Sequence, residues 1–301
     1  ALMQDNLPEL TPKGATPKKP DLVWIKNREN GSLSHVLFDS SRGPSKVQYP
    51  GATTIEYTFP DNVIERFLVG GYEVGTDTTV NGDTGDGYVG WNWIAAGGVE
   101  SANADGSGSA LSCTIQANQT AGFSIVRFTG NSGHTAVAHG LSQEPEINIQ
   151  KRLNPASNWQ LNTKLYDGSL DYLNFDTAST IANYSSGAIN NKTFTSNGWA
   201  SHNVLSLNWH SVAGFSKFGT YVGNANVDGP FIYTGFKPRL VVVKNLERGT
   251  NWYVYDSVRT PFNEMDGHMF WDTNTAETTG SEEIDFYANG FKCRGDNSGN
   301  N

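Results

Sequence analysis

The chain has 301 residues, 17% of them charged, and a formal net charge of −9. Charged residues make up about 25% of an ordinary globular protein; here Gly, Asn, Ser and Thr take their place, which is a composition of strands and turns. The acidic balance and the lack of a basic run exclude binding to nucleic acid through its phosphates, and no stretch approaches the roughly 18 apolar residues that would insert in a membrane.

Residues 1–20 carry four prolines and read as an extended lead-in. The segment DLVWIKNR follows Pro20 and alternates as a strand, with Leu22 and Trp24 on one face and Val23 and Ile25 on the other. SHVLFDSSRG reads as the second strand and its turn. The best helix candidate is TIEYTFPDNVIERF, interrupted by Pro60. In GTDTTVNGDTGDGY, the side chains of Asp77, Asn81, Asp83 and Asp86 fall close together. Calcium takes such oxygens, but the spacing is not that of an EF-hand, and an acidic Gly-rich turn without metal is the competing reading. GYVGWNW reads as a closing strand carrying Trp91 and Trp93, and residues 97–110 as a Gly/Ser-rich linker.

GFSIVRFTGN at Gly122 opens a second module, with strands INIQKR after Pro145 and WQLNT from Trp159, and a closing VLSLNWHSVAG that matches GYVGWNW. GFSKFGTYVGN at Gly214 opens a third, with LVVVKN after Pro238 and NWYVYD from Asn251. The third module has no closing strand before Asn301, and the first has no clear GFS segment.

The offsets repeat. A lysine stands six residues after each proline, as Lys26, Lys151 and Lys244, and the second strand is led by His35, Trp159 or Trp252, 14 or 15 residues after the proline. Phe67, Phe194 and Phe286 each precede a glycine, Gly71, Gly198 or Gly290, by four residues. Such self-similarity is the signature of a repeat architecture. It predicts an all-β chain, a tandem repeat of antiparallel β-sandwich modules: 1–98 lead-in plus module 1, 99–213 linker plus module 2, 214–301 module 3.

The modules differ on one sheet face. At the positions facing away from the offset-two and offset-four residues, module 2 carries Asn148, Gln150, Gln160, Asn162 and Asn174. These amides could hydrogen-bond a sugar, since each offers donor and acceptor together; a solvated sheet face is the plainer reading. Module 1 carries Val23, Ile25, Val36 and Phe38 there. Module 3 carries Val241, Val243, Tyr253, Tyr255 and Phe270, and both apolar sets are expected to be buried against another subunit or domain, because large exposed apolar patches are rare on monomers. The three lysines are expected to cover the rim of the sandwich with their amines in water or on a carboxylate. No His pair has zinc spacing, no G-x-S-x-G elbow occurs, and Cys113 and Cys293 read as free thiols.

The stretches PDLVWIKNR, SHVLFDSSRG and GYVGWNWIAAGG, then AGFSIVRFTGN and HGLSQEP, then GFSKFGTYVGN, DGPFIYTGFKP, NWYVYDSVR and IDFYANGF resemble a repeat family found mainly in virion proteins of tailed, especially marine, bacteriophages. They span nearly the whole chain; module 2 departs in having INIQKR where its neighbours have VWIKNR and VVVKNL. The resemblance implies a lectin-like, jelly-roll sandwich in a tail fibre, spike or other appendage of the virion, and it brings no catalytic residue. The expected protein is therefore a structural subunit that takes part in host attachment, without a cofactor unless calcium binds. Its expected partners are copies of itself in a homo-oligomer, a trimer by fibre analogy, other virion proteins, and a host surface glycan. The alternatives are a carbohydrate-binding module or glycan-active enzyme, which would need two carboxylates roughly 5–10 Å apart in a groove, and a bacterial surface adhesin.

Overall fold

A computed structural model describes residues 18–59, 62–82, 85–95, 100–102, 110–280 and 283–301. The chain is almost entirely β, with 38% strand and 2% helix, and every strand pairing is antiparallel.

Module 1 holds β1 (Leu22–Asn27), β2 (Val36–Asp39), β3 (Lys46–Val47), β4 (Tyr57–Thr58), β5 (Ile64–Leu68), β6 (Gly71–Val74), the short helix α1 (Thr78–Asn81) and β7 (Tyr88–Trp93). Module 2 holds β8 (Glu100–Ala102), β9 (Cys113–Asn118), β10 (Phe123–Thr129), β11 (Ala136–Ala138), β12 (Ile147–Arg152), β13 (Trp159–Thr163), β14 (Asp171–Asn174), β15 (Ala182–Asn183), β16 (Thr193–Thr195) and β17 (Asn203–Trp209). Module 3 holds β18 (Phe231–Tyr233), β19 (Leu240–Val243), β20 (Tyr253–Asp256), β21 (Met269–Phe270), β22 (Ile284–Tyr287) and β23 (Gly290–Cys293).

The three proline-led strands β1, β12 and β19 each begin two residues after their proline, which lacks the N–H a ladder would need and so sits just ahead of the pairing. The main sheets run β2-β1-β7 in module 1, β15-β14-β13-β12-β17-β10-β9-β8 in module 2, and β19-β20-β21 in module 3. The segment expected to be helical forms β4 and β5 instead, because Tyr57 and Ile64 find strand partners in Val47 and Val74. Gly71 and Gly290 each open the second strand of a hairpin, β5-β6 and β22-β23. Module 2 differs, for its Phe194 pairs with Val137 in β16-β11 and Gly198 lies beyond the strand.

The modules do not carry three separate cores. Leu22, Trp24 and Trp91 of module 1, Ile149, Leu161 and Leu207 of module 2, and Trp252, Val254 and Met269 of module 3 pack into one shared central core. The opposite face of each main sheet has its own outer core: Val23, Ile25, Val36 and Phe38 in module 1, Val126, Phe128, Phe194 and Val204 in module 2, and Val241, Val243, Tyr255 and Phe286 in module 3. Both faces of the main sheets of modules 1 and 2 are thus covered, while in module 3 Leu240 and Val242 stay partly buried.

Three backbone hydrogen bonds at corresponding places close the modules into a ring. The N–H of Glu56 donates to Leu153 O at 2.8 Å, that of Ile181 to Leu246 O at 2.8 Å, and that of Glu277 to Arg28 O at 2.7 Å. Each acceptor stands two residues beyond the module's repeated lysine. Module 1 therefore bonds to module 2, module 2 to module 3, and module 3 back to module 1. Side chains follow the same cycle: Trp159 Nε1 donates to Tyr49 O at 3.1 Å, the Trp252 ring lies 4.9 Å from Phe175, and Trp24 stacks on Trp271 at 4.6 Å.

Candidate functional site

Four amide residues of module 2, Asn148, Gln150, Gln160 and Asn162, form an internal ladder, and of the five only Gln160 and Asn174 keep partial exposure. Asn148 Nδ2 donates to Asn208 Oδ1 at 2.6 Å and to Ser206 Oγ at 3.0 Å. Asn148 Oδ1 accepts from Gln150 Nε2 and Asn162 Nδ2, each at 2.9 Å. Gln160 Nε2 donates to Asn162 Oδ1, and Gln150 Nε2 also reaches Thr195 O of β16. Asn148, Gln150 and Asn162 are at most 1% exposed, so they offer no surface to a sugar. The expectation of a solvated or glycan-facing amide sheet is corrected by the covering segment that carries β16, which supplies an acceptor and closes the face; the buried amides bond to one another, with Gln150 Oε1 left without a donor among the described residues.

The acidic loop is likewise internally engaged. Asp77 caps α1, accepting from Thr79 N at 2.9 Å and Thr79 Oγ1 at 2.6 Å. Asp86 Oδ2 accepts from Asn27 Nδ2 at 2.9 Å, and Asn81 Nδ2 donates to Gly75 O. Asp83 lies outside the described residues. Among the described residues no three His, Cys, Asp or Glu side chains are grouped to hold a metal ion.

The apolar set of module 3 is corrected too. Val241, Val243 and Tyr255 are 7%, 6% and 0% exposed, covered by Ile284, Phe286, Phe291 and Cys293 of the module's own β22-β23 hairpin. Tyr253 and Phe270 remain half-buried, 4.9 Å apart edge to face. The cover follows 28 or more residues after Asp256, too far along the chain for strand alternation to show it.

A repeated feature that strand patterning leaves unread is D-S-x-R after the second strand. Asp39 accepts from Ser41 N, Arg42 N and Arg42 Nε, and Arg42 Nη1 reaches Glu56 Oε2 at 3.0 Å. Asp256 accepts from Val258 N, Arg259 N and Arg259 Nε, and Arg259 Nη1 reaches Glu277 Oε1 at 2.5 Å. Glu56 and Glu277 are the residues whose N–H groups make two of the ring bonds. The buried Asp–Arg–Glu chains therefore anchor the ring joints. In module 2, Thr163 and Ile181 stand at the corresponding places, without the ion pair.

What remains open is a cavity of about 1220 Å³ where the modules converge beside β19. Trp93, Trp209, Trp252 and Trp271 line it, with Leu240, Val242 and residues 215–225. The N–H groups of Trp91, Trp252 and Trp271 around it are buried and find no acceptor among the described residues. Its exposed wall is mainly apolar, suited to rings or apolar side chains.

A family model described as a domain of unknown function, DUF7483, matches residues 13–301. The chain belongs to the DUF7483 family. No curated protein and no solved structure matches it.

In this DUF7483 chain the repeated lysines do not reach water as expected. Lys26 and Lys151 are fully buried, and their amines donate to Thr273 O at 3.0 Å and Ser157 O at 2.5 Å. Lys244, half-buried, donates to Asn245 O and Arg248 O. Burial draws all three down to about 8. His139, held between Leu141 N and Asn190 O, is drawn down to about 4 by burial. Cys113 and Cys293 are both buried. These groups serve the interior of the DUF7483 ring, whereas the cavity faces outward.

Proposed function

We propose that this chain is a structural subunit of a tailed-phage virion, part of a fibre or other appendage, and takes part in host attachment. The observation that supports this best is the ring itself: three repeats whose sequence phrases resemble those of phage virion proteins are fastened cyclically into one β-rich body. Their polar side chains are largely engaged in internal bonds. A scaffold of that kind suits a particle component that must keep its shape outside the cell. No catalytic role is part of this reading.

Immunogold labelling of purified particles, with mass spectrometry of the same particles, tests it. Labelled appendages and peptides of this chain in the particle are the expected result. Its restriction to the soluble fraction of lysed cells contradicts the reading.

The aromatic cavity favours a second reading, a glycan-binding module, because indole faces suit sugar rings. Binding on a glycan array that is lost with Trp209→Ala would support it.

A further inference from the structure

We propose that the cavity beside β19 is a seat for an added β-strand, supplied in trans by a partner polypeptide. The two sibling modules show the occupant. In module 1, β7 lies antiparallel on β1, with Trp93 opposite Leu22, Trp91 opposite Trp24 and Val89 opposite Lys26. In module 2, β17 lies antiparallel on β12, with Trp209 opposite Ile147, Leu207 opposite Ile149 and Leu205 opposite Lys151. In module 3, among the described residues, the same edge of β19 has no strand on it, since β19 ends its sheet and pairs with β20 alone.

The other bank of the seat points the same way. In module 2 the GFSIVRF segment is β10, and it pairs with the far edge of β17, with Phe123 opposite Trp209 and stacked on it at 4.9 Å. Module 3 repeats the opening words as GFSKFGT, yet residues 217–223 belong to no strand. The partner that would hold them in a ladder is the strand missing from between them and β19. Residues 215–225 instead form one wall of the cavity while Leu240–Val243 form another.

The seat also continues an interface already built. Trp93 and Trp209, the last residues of β7 and β17, meet at 6.1 Å where the shared core reaches the cavity. A strand on β19 would place its own final aromatic beside them. Leu240 and Val242, the counterparts of Leu22 and Trp24, stay only partly buried until something covers them.

The occupant's chemistry follows from the register. It runs antiparallel to β19 and reads apolar-x-apolar-x-aromatic, with the aromatic opposite Leu240, an aromatic or leucine opposite Val242, and an aliphatic opposite Lys244. Backbone bonds to an exposed edge would give affinity, and the alternate side chains would give specificity. The cavity is larger than the roughly 300–1,000 Å³ of a usual small-molecule site. This inference rests on the fold and stands whether or not the chain is a virion protein.

The test uses the chain 1–301 and a fluorescein-labelled peptide with the sequence of residues 203–209, NVLSLNW. Fluorescence anisotropy should show saturable binding, with a rise in thermal midpoint as peptide is added. The same residues in scrambled order, and a peptide N-methylated at its ladder amides, should each bind at least about tenfold more weakly, as should the native peptide to Val242→Lys. The peptide-side changes keep the test decisive if that variant fails to fold. No saturable binding, equal binding by the scrambled peptide, or binding of an oligosaccharide where the peptide does not bind would overturn the proposal.

Discussion

Arg28 and Glu277, 249 residues apart, are bonded twice: the Glu277 N–H donates to Arg28 O at 2.7 Å, and Arg28 Nε donates to Glu277 Oε2 at 2.6 Å. This pair joins the last module to the first. The Glu277 carboxylate also takes Arg259, whose side chain is 3% exposed. Removing Glu277 would leave a buried guanidinium with Asp256 as its remaining carboxylate. Glu277→Ala is expected to cost about 3 kcal/mol in urea unfolding. Arg28→Ala, which removes a side chain that is 32% exposed, should cost about 1 kcal/mol or less. Equal costs would mean that the Asp–Arg–Glu chain does not anchor the joint.

The amide ladder should matter to stability rather than to binding. Asn148 is bonded to four other side chains. Asn148→Ala strands several buried amide groups and should cost about 2–4 kcal/mol. Asn174→Ala, at the partly exposed end of the same sheet, should change stability by about 0.5 kcal/mol or less. Denaturant titrations of the two variants compare them directly.

Stability should rise with pH in an unusual range. Lys26 and Lys151 titrate near 8 when folded, against 10.5 for an ordinary lysine. The unfolded chain therefore holds those protons to higher pH, and folding grows more favourable from about pH 8 upward. The gain is on the order of 2 kcal/mol per lysine by pH 10. Above pH 10 the half-buried Tyr221 and the buried Tyr255, whose hydroxyls are pushed up chiefly by burial, oppose it. His139 has the lysines' sign at lower pH: its contribution is complete above 6.5 and declines as pH falls toward 4. Urea midpoints from pH 4 to 10 should show both slopes, and Lys26→Met with Lys151→Met should flatten the alkaline one.

Val243→Asp separates a module core from a subunit contact. Val243 sits with Phe286 and Tyr255 inside module 3. A carboxylate there should destabilise folding by about 3 kcal/mol or more, while light scattering of the folded fraction keeps the parent mass. A clean drop from a larger assembly to a stable monomer would return these residues to a subunit interface.

The strands were legible because proline, alternation and lysine all act locally: Pro20, Pro145 and Pro238 mark β1, β12 and β19 through the chemistry of one missing N–H. The second layer was not, since whether Val241 or Asn148 meets water depends on residues tens of positions away. The ring was hidden for the same reason. Glu56, Ile181 and Glu277 act through backbone N–H groups, which leave no common side chain to find. The D-S-x-R repeats were in plain view in modules 1 and 3, but Thr163 breaks the pattern in module 2. The absent closing strand of module 3 was visible from the repeat; that GFSKFGT would lose its ladder with it required the β10-β17-β12 order.

The most direct test of the ring is residue-resolved hydrogen exchange at the amides of Glu56, Ile181 and Glu277. The closed ring predicts strong protection at all three, lost together on unfolding. Protection at Glu56 and Ile181 with free-loop exchange at Glu277 would contradict it, leaving three modules in an open row.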